Sequence, residues 1–209
     1  MDFRFTDEQE TFRGEVRRFL DDHLGEDWPG IDPDAYFTDE NWPHIRQLTA
    51  KLAERGWLTL AWPEEYGGQG RPHIDQMIYS EETAYFRAPT RDVTIGTELV
   101  GPTLMLYGTD EQKQRWLPAM AAGDAVGCFG LTEAQGGSDP ANMKTHAKRD
   151  GSDWIINGSK MWITNGTIAD VALVWATTDD GIRGFLVDKG TPGFDAPEID
   201  NKLSMRASI

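Results

Sequence analysis

Two short stretches carry residue types suited to gripping a ligand: LTEAQGGSD at 131–139 and KMWITNG at 160–166. Thr132 and Ser138 offer hydroxyls, while Gly136 and Gly137 remove side-chain bulk where backbone must come close. Trp162 offers a broad apolar face. Thr164 stands two residues further on, which in a strand puts both on one side. This set suits a large, flat ligand with a polar edge and phosphates. Each member also has a plainer reading: Trp162 as core, Thr164 as strand surface, the glycines as turns. Residue types and spacing alone reach no further than a pocket for a planar anion.

Other chemistries find no support. Neither GxGxxG nor GxxxxGK[ST] occurs, so the usual nucleotide fingerprints are missing. The four histidines, at 23, 44, 73 and 146, show no metal-ligand spacing. Cys128 lies in an apolar run and reads as a buried, inert thiol. No GxSxG elbow is present, and Ser138 has no nearby base.

The sequence has 209 residues, 39% of them hydrophobic, enough for a real core. Its formal net charge of −15 argues against nucleic acid and anionic membrane as partners, since both would repel it. A single cysteine excludes an internal disulfide and suits a reducing compartment. No apolar run approaches spanning length, and MDFRFTDEQE is charged from the start, so a cytoplasmic protein is expected.

The elements that must position the two stretches divide in kind near residue 125. Before it the pattern is helical. Thr6 and Gln9 form a capping box, followed by Phe12, Val16, Phe19 and Leu20 at helical spacing. A second helix is expected over Trp42–Arg55 with Gly56 closing it, and a third over His73–Arg87 with Ile74, Met77, Ile78 and Tyr85 inward. Val93–Tyr107 reads as a buried helix, bent or preceded by an extended piece at Gly101-Pro102. Thr109–Gln112 repeats the capping box, starting a helix that ends near Leu117-Pro118. After 125 come short strand-like runs: VGCFGLT, MKTHAKR, WIING, MWIT, VALVWAT and GFLVD. Asp150-Gly151 and Asn157-Gly158 read as tight turns. The predicted class is α+β: a helical domain over 1–124, then a β domain over 125–209.

LTEAQGGSDPANMKTHAKRDGSDWIINGSKMWITNG resembles the acyl-CoA dehydrogenase family, where a TEP-x-x-GSD segment precedes a hairpin and an NG-x-K-x-W-I-T-N segment. AWPEEYGGQG and DEQKQRWLPAMAAGDAVGCFGLTE fit the same resemblance, which covers nearly the whole sequence. GCFGLTE, GIRGFLVDKGTPGF and KLSMRAS look most like the glutaryl-CoA dehydrogenase branch. Ala134-Gln135 departs from the usual Pro-Gly or Pro-Asn and leaves Gly137, Ser138 and Asp139 in place.

The resemblance implies a helical N-terminal domain, an incomplete barrel-like β middle domain and no C-terminal helical bundle. It implies FAD as cofactor, an acyl-CoA thioester as substrate, an electron-transfer flavoprotein as partner and a homotetramer at full length. Flavin contacts fall on Phe129, Leu131, Thr132, Gly137, Ser138, Trp162, Ile163 and Thr164. Ser138 and Arg91 are carried over as substrate contacts; Arg91 or Arg87 is a candidate for a distal carboxylate, and Glu98 could equally line the pocket or pair with one of these arginines. The family's glutamate base is expected beyond residue 209, so no catalytic residue is assigned. Glu133 and Asp139 are expected to fix turns through backbone hydrogen bonds. Because the sequence stops on an apolar residue, a truncated chain, inactive alone, is expected. Two alternatives stay open: a non-catalytic subunit completing a flavin site with another chain, and a flavin monooxygenase or oxidase on the same scaffold.

Overall fold

The structure, a computed structural model, describes residues 4–24 and 40–203. Helix α1 (Asp7–Leu24) begins at the Thr6–Gln9 capping box: the Thr6 N–H donates to Gln9 Oε1 at 2.9 Å and the Gln9 N–H to Thr6 Oγ1 at 3.2 Å. Its buried stripe is Phe12, Val16, Phe19 and Leu20, as the spacing predicts. Helix α2 (Trp42–Glu54) gives way to Gly56 at φ 66°, a left-handed stop that a glycine adopts at no steric cost. These stripes meet Trp57, Leu60 and Ile78 in one apolar cluster. Each such side chain contributes about 1.5–3 kcal/mol when fully buried.

Helix α3 (His73–Tyr85) departs from expectation. Met77 is exposed, and Tyr85 is 82% exposed. The inward face is Asp75, Ile78, Glu82 and Thr83 instead. Across the seam α1 presents Arg13 and Arg17, and both close on Glu82, at 2.5 and 2.6 Å. A paired carboxylate therefore occupies a position that an apolar template would assign to a hydrophobe.

The stretch from Val93 to Tyr107 contains no extended piece. It runs as α4 (Arg91–Ile95), a π-turn (Gly96–Val100) and α5 (Gly101–Tyr107) without a break. Pro102 would drive its ring into the carbonyl four residues back in a regular α-helix, and the wider turn just before it relieves that contact. Helix α6 (Asp110–Ala121) starts at the second capping box, Thr109 with Gln112, and carries Pro118 inside it, past the predicted end.

The sheet has five strands: β1 (Gly127–Gly130), β2 (His146–Asp150), β3 (Asp153–Asn157), β4 (Val171–Thr178) and β5 (Gly181–Asp188). Strand β4 is central. It pairs parallel with β1, Gly127 opposite Val171, antiparallel with β5 along its whole length, and parallel with β2 at His146 and Thr177. The Asp150-Gly151 turn joins β2 to β3 as predicted. Two expectations fail: MWIT is not a strand, and Asn157-Gly158 opens no hairpin. Trp162 and Asn165 instead take left-handed φ values of 60° and 67°, which end any strand alternation.

The helices and the sheet share a core. Trp62, Val100, Leu104, Trp116, Leu117 and Met120 pack against Ala125, Val171 and Leu173. The π-turn lies directly on β1, so close that a Cβ on Gly127 would stand 3.0 Å from Gly96 Cα. Any larger residue at Gly127 would push the two elements apart.

Candidate functional site

β1 delivers the chain into 131–139, and the loop after β3 brings in 158–166. Three contacts join them. The Met161 N–H donates to the Thr132 carbonyl at 2.9 Å. The Lys160 ammonium donates to the Leu131 carbonyl at 3.0 Å and to Glu133 Oε1 at 2.8 Å. The two stretches singled out by residue type therefore lie side by side, residues 131–133 against residues 160–161.

Glu133 is the hub. Beyond Lys160 it accepts from the backbone N–H groups of Lys144 at 2.6 Å and Thr145 at 2.9 Å, and from the Thr145 hydroxyl and the Gln135 amide. Burial acts to raise its pKa, but the hydrogen bonds from Lys160, Thr145 and the two amides outweigh it. The carboxyl is held well below the usual carboxylate range and stays ionised. Its role is the expected one of fixing backbone. Lys160, its buried cation, is a residue that sequence reasoning missed. The available signal was a lysine two places before the tryptophan and a glutamate within the first stretch.

The backbone of Glu133 and Gly136 closes a tight turn through reciprocal bonds of 3.1 and 3.0 Å. Gly137 and Ser138 follow on the surface, and a Cβ on Gly137 would meet nothing nearer than Thr132 Cγ2 at 4.0 Å. That side of the loop is open to an approaching group. Asp139 accepts from the Asn142 amide and leads into a single 3-10 turn at Pro140–Asn142. At Gly158 the constraint is the reverse. A Cβ there would lie 2.6 Å from Thr145 Cα, so this close crossing admits only glycine.

Trp162 is 70% exposed, held out on its left-handed backbone, which removes the reading of it as core. Phe129 is half-buried and packs against Trp175, with ring centroids 5.9 Å apart. Leu131, Thr132, Ile163 and Thr164 are half-buried. Thr164 sits in the turn after Ile163, so its placement beside Trp162 by strand alternation does not hold. Cys128 is buried on β1, and burial pushes its thiol up to about 12, leaving it protonated and inert. Arg91 opens α4, and its side chain lies outside the described residues, as does most of KLSMRAS.

A second feature lies on the far side of the π-turn. A cavity of about 410 Å³ is walled by Trp57, Trp62 and Tyr79, with Thr94, Thr97 and Glu98 along one side. Trp62 Nε1 donates to the Thr97 carbonyl at 2.7 Å, tying the wall to the turn. Partial desolvation pushes the Glu98 carboxyl above its ordinary range. Because the π-turn rests on β1, cavity and paired stretches share one supporting layer.

The chain has counterparts among known proteins along its whole described length. The sequence profile described as acyl-CoA dehydrogenase, N-terminal domain, matches residues 6–124, and that of the middle domain matches residues 128–209. The chain belongs to the acyl-CoA dehydrogenase family. Acyl-CoA dehydrogenase FadE26 of Mycobacterium tuberculosis is 48% identical over 145 residues, covering 69% of this chain and 36% of the relative. The glutaryl-CoA dehydrogenase of Mycobacterium smegmatis in complex with FADH2 matches with a TM-score of 0.80 and 42% identity, over 98% of this chain and 51% of that one. The ChsE4-ChsE5 complex of Mycobacterium tuberculosis matches with a TM-score of 0.79 and 36% identity, over 92% and 50%. The chain thus spans about half the length of such relatives, or less. As an acyl-CoA dehydrogenase family member it is a helical domain followed by a sheet domain. Among the described residues, no helix is long and apolar enough to cross a membrane.

Proposed function

We propose that this chain contributes the flavin-facing half of an FAD-dependent enzyme that removes two hydrogens across the Cα–Cβ bond of an acyl-CoA thioester. The observation that carries this reading is the joining of residues 131–133 to 160–161, with an exposed indole at the junction. The residues present fit the ring system of FAD: an apolar wall at Trp162, a hydroxyl at Thr132, and open backbone at Gly137 and Ser138. Bound there, FAD supplies a two-electron acceptor for a hydride.

The chain's own residues do the rest. With FAD bound against it, the exposed Trp162 indole would cover one face of the ring system and keep water from it. Thr132 and neighbouring N–H groups donate to a polar edge that becomes electron-rich on reduction, a stabilisation largest where donors are already fixed in place. The Glu133–Lys160 pair provides that fixing. Phe129, Leu131, Ile163 and Thr164 line the approach. The proton at Cα needs a carboxylate base, and Glu133, fully engaged and strongly acidic, is unsuited to that task. In this reading the base is a carboxylate other than Glu133, supplied from outside the paired stretches. An electron-transfer flavoprotein then receives the electrons, and the full-length protein assembles as a homotetramer.

The test is anaerobic titration of the full-length, FAD-loaded protein with acyl-CoA thioesters. Loss of the visible flavin absorption supports the reading, and an unchanged spectrum with every thioester rejects it. A second reading, in which the chain completes a site with a different subunit, is favoured by the likeness to a two-protein complex. Copurification of a second polypeptide, with flavin retained only in its presence, would select it.

A further inference from the structure

Within the proposed acyl-CoA reading, the cavity beside the π-turn has an unusual lining for a chain-holding pocket. Its aromatic walls, Trp57, Trp62 and Tyr79, offer the expected apolar surface. Its α4 and π-turn side does not. The Thr94 hydroxyl donates to the Thr90 carbonyl at 2.9 Å, and the Thr97 hydroxyl to the Val93 carbonyl at 3.1 Å. With their protons committed to main chain, these hydroxyls present only lone pairs to the cavity. Glu98 adds a carboxylate on the same side. No hydrogen bond or cation among the described residues offsets its desolvation. The π-turn accounts for the placement, because its extra residue per turn shifts side chains off regular helical stacking.

A wall rich in acceptors and bearing a negative charge repels one kind of acyl group above all others. We infer that Glu98 is a specificity-determining residue that excludes acyl groups ending in a carboxylate from this cavity, selecting monocarboxylic acyl-CoA thioesters. Discrimination of this kind works through an unfavourable contact with the wrong ligand rather than a better contact with the right one. It separates this chain from the glutaryl-CoA dehydrogenase that its fold matches.

The experiment compares pentanoyl-CoA with glutaryl-CoA, which share a five-carbon chain and differ in the terminal carboxylate. Binding to the full-length, FAD-loaded protein is measured calorimetrically, so the readout needs no turnover. Glu98 is exposed at the cavity rim, so water screens part of the repulsion, and the wild type is expected to bind glutaryl-CoA about five- to tenfold more weakly. In Glu98→Gln the ratio of the two dissociation constants should fall to within about threefold. Glu98→Asp, which keeps the charge, should restore the gap and shows that a folded variant is being read. Equal binding by the wild type, or a gap untouched in Glu98→Gln, overturns the inference and leaves the dehydrogenase reading standing. Failure of both thioesters to bind or to bleach the flavin sinks both together.

Discussion

Replacing Lys160 by methionine removes the one cation from a buried hub while nearly preserving side-chain length. The lysine side chain is 9% exposed and its Glu133 partner 3%. The substitution deletes the 2.8 Å contact to Glu133 and the 3.0 Å contact to the Leu131 carbonyl. Breaking a buried pair from one side costs about 3–5 kcal/mol. Glu133 keeps four other donors, so the lower end applies, about 3 kcal/mol. For a chain of this size that corresponds to a fall of about 6–12 °C in Tm. Thermal and urea unfolding of wild type, Lys160→Met, Glu133→Gln and the double variant would give the coupling energy, expected at about 2 kcal/mol. The pH dependence adds a signed check. Because the folded-state pKa of Glu133 is depressed below 4.5, its stabilisation is complete above that value and is lost as pH falls below it toward the folded-state value. Lys160→Met should therefore show a shallower acid-induced loss. Additivity of the two single variants within about 0.5 kcal/mol would refute the reasoning.

Three further outcomes are expected. Trp162→Ala, at a position 70% exposed, should change stability by less than about 0.5 kcal/mol yet weaken FAD retention markedly in equilibrium dialysis of the full-length protein. Gly158→Ala should destabilise by more than about 3 kcal/mol in urea titrations, since its Cβ would overlap Thr145 backbone, whereas Gly151→Ala, with open space around it, should cost only about 1–2 kcal/mol. Glu82→Gln should cost about 2–4 kcal/mol by leaving Arg13 and Arg17 facing a neutral amide. Glu82 is also held below its usual range, so chemical denaturation should show this difference at neutral pH and its decline as pH drops below 4.5.

The sequence was most legible where a local rule acts alone. Both capping boxes, the α1 stripe and the Asp150-Gly151 hairpin follow from neighbours a few residues apart. It misled where a partner far along the chain decides the outcome. Glu82 faces inward only because α1 brings two arginines to it, 69 and 65 positions away. Gly158 is required by Thr145, a residue on another segment. MWIT reads as a strand because its residue types favour one, yet bonding of Lys160 and Met161 to residues 131–133 pulls it into a different path. Within the candidate site, side chains that could face a ligand were identifiable by type. The pair that holds them, Lys160 and Glu133, was only half visible, because its geometry depends on the fold being complete.

The apolar cluster that runs from Trp62 and Met120 to Val171 and Leu173 ignores the change from helix to sheet. Severing the polypeptide near Asp124 would leave each piece with a raw hydrophobic face and no native partner. Evolutionary shuffling of one half against a foreign counterpart must therefore reproduce this seam, side chain for side chain, before any ligand chemistry can be inherited.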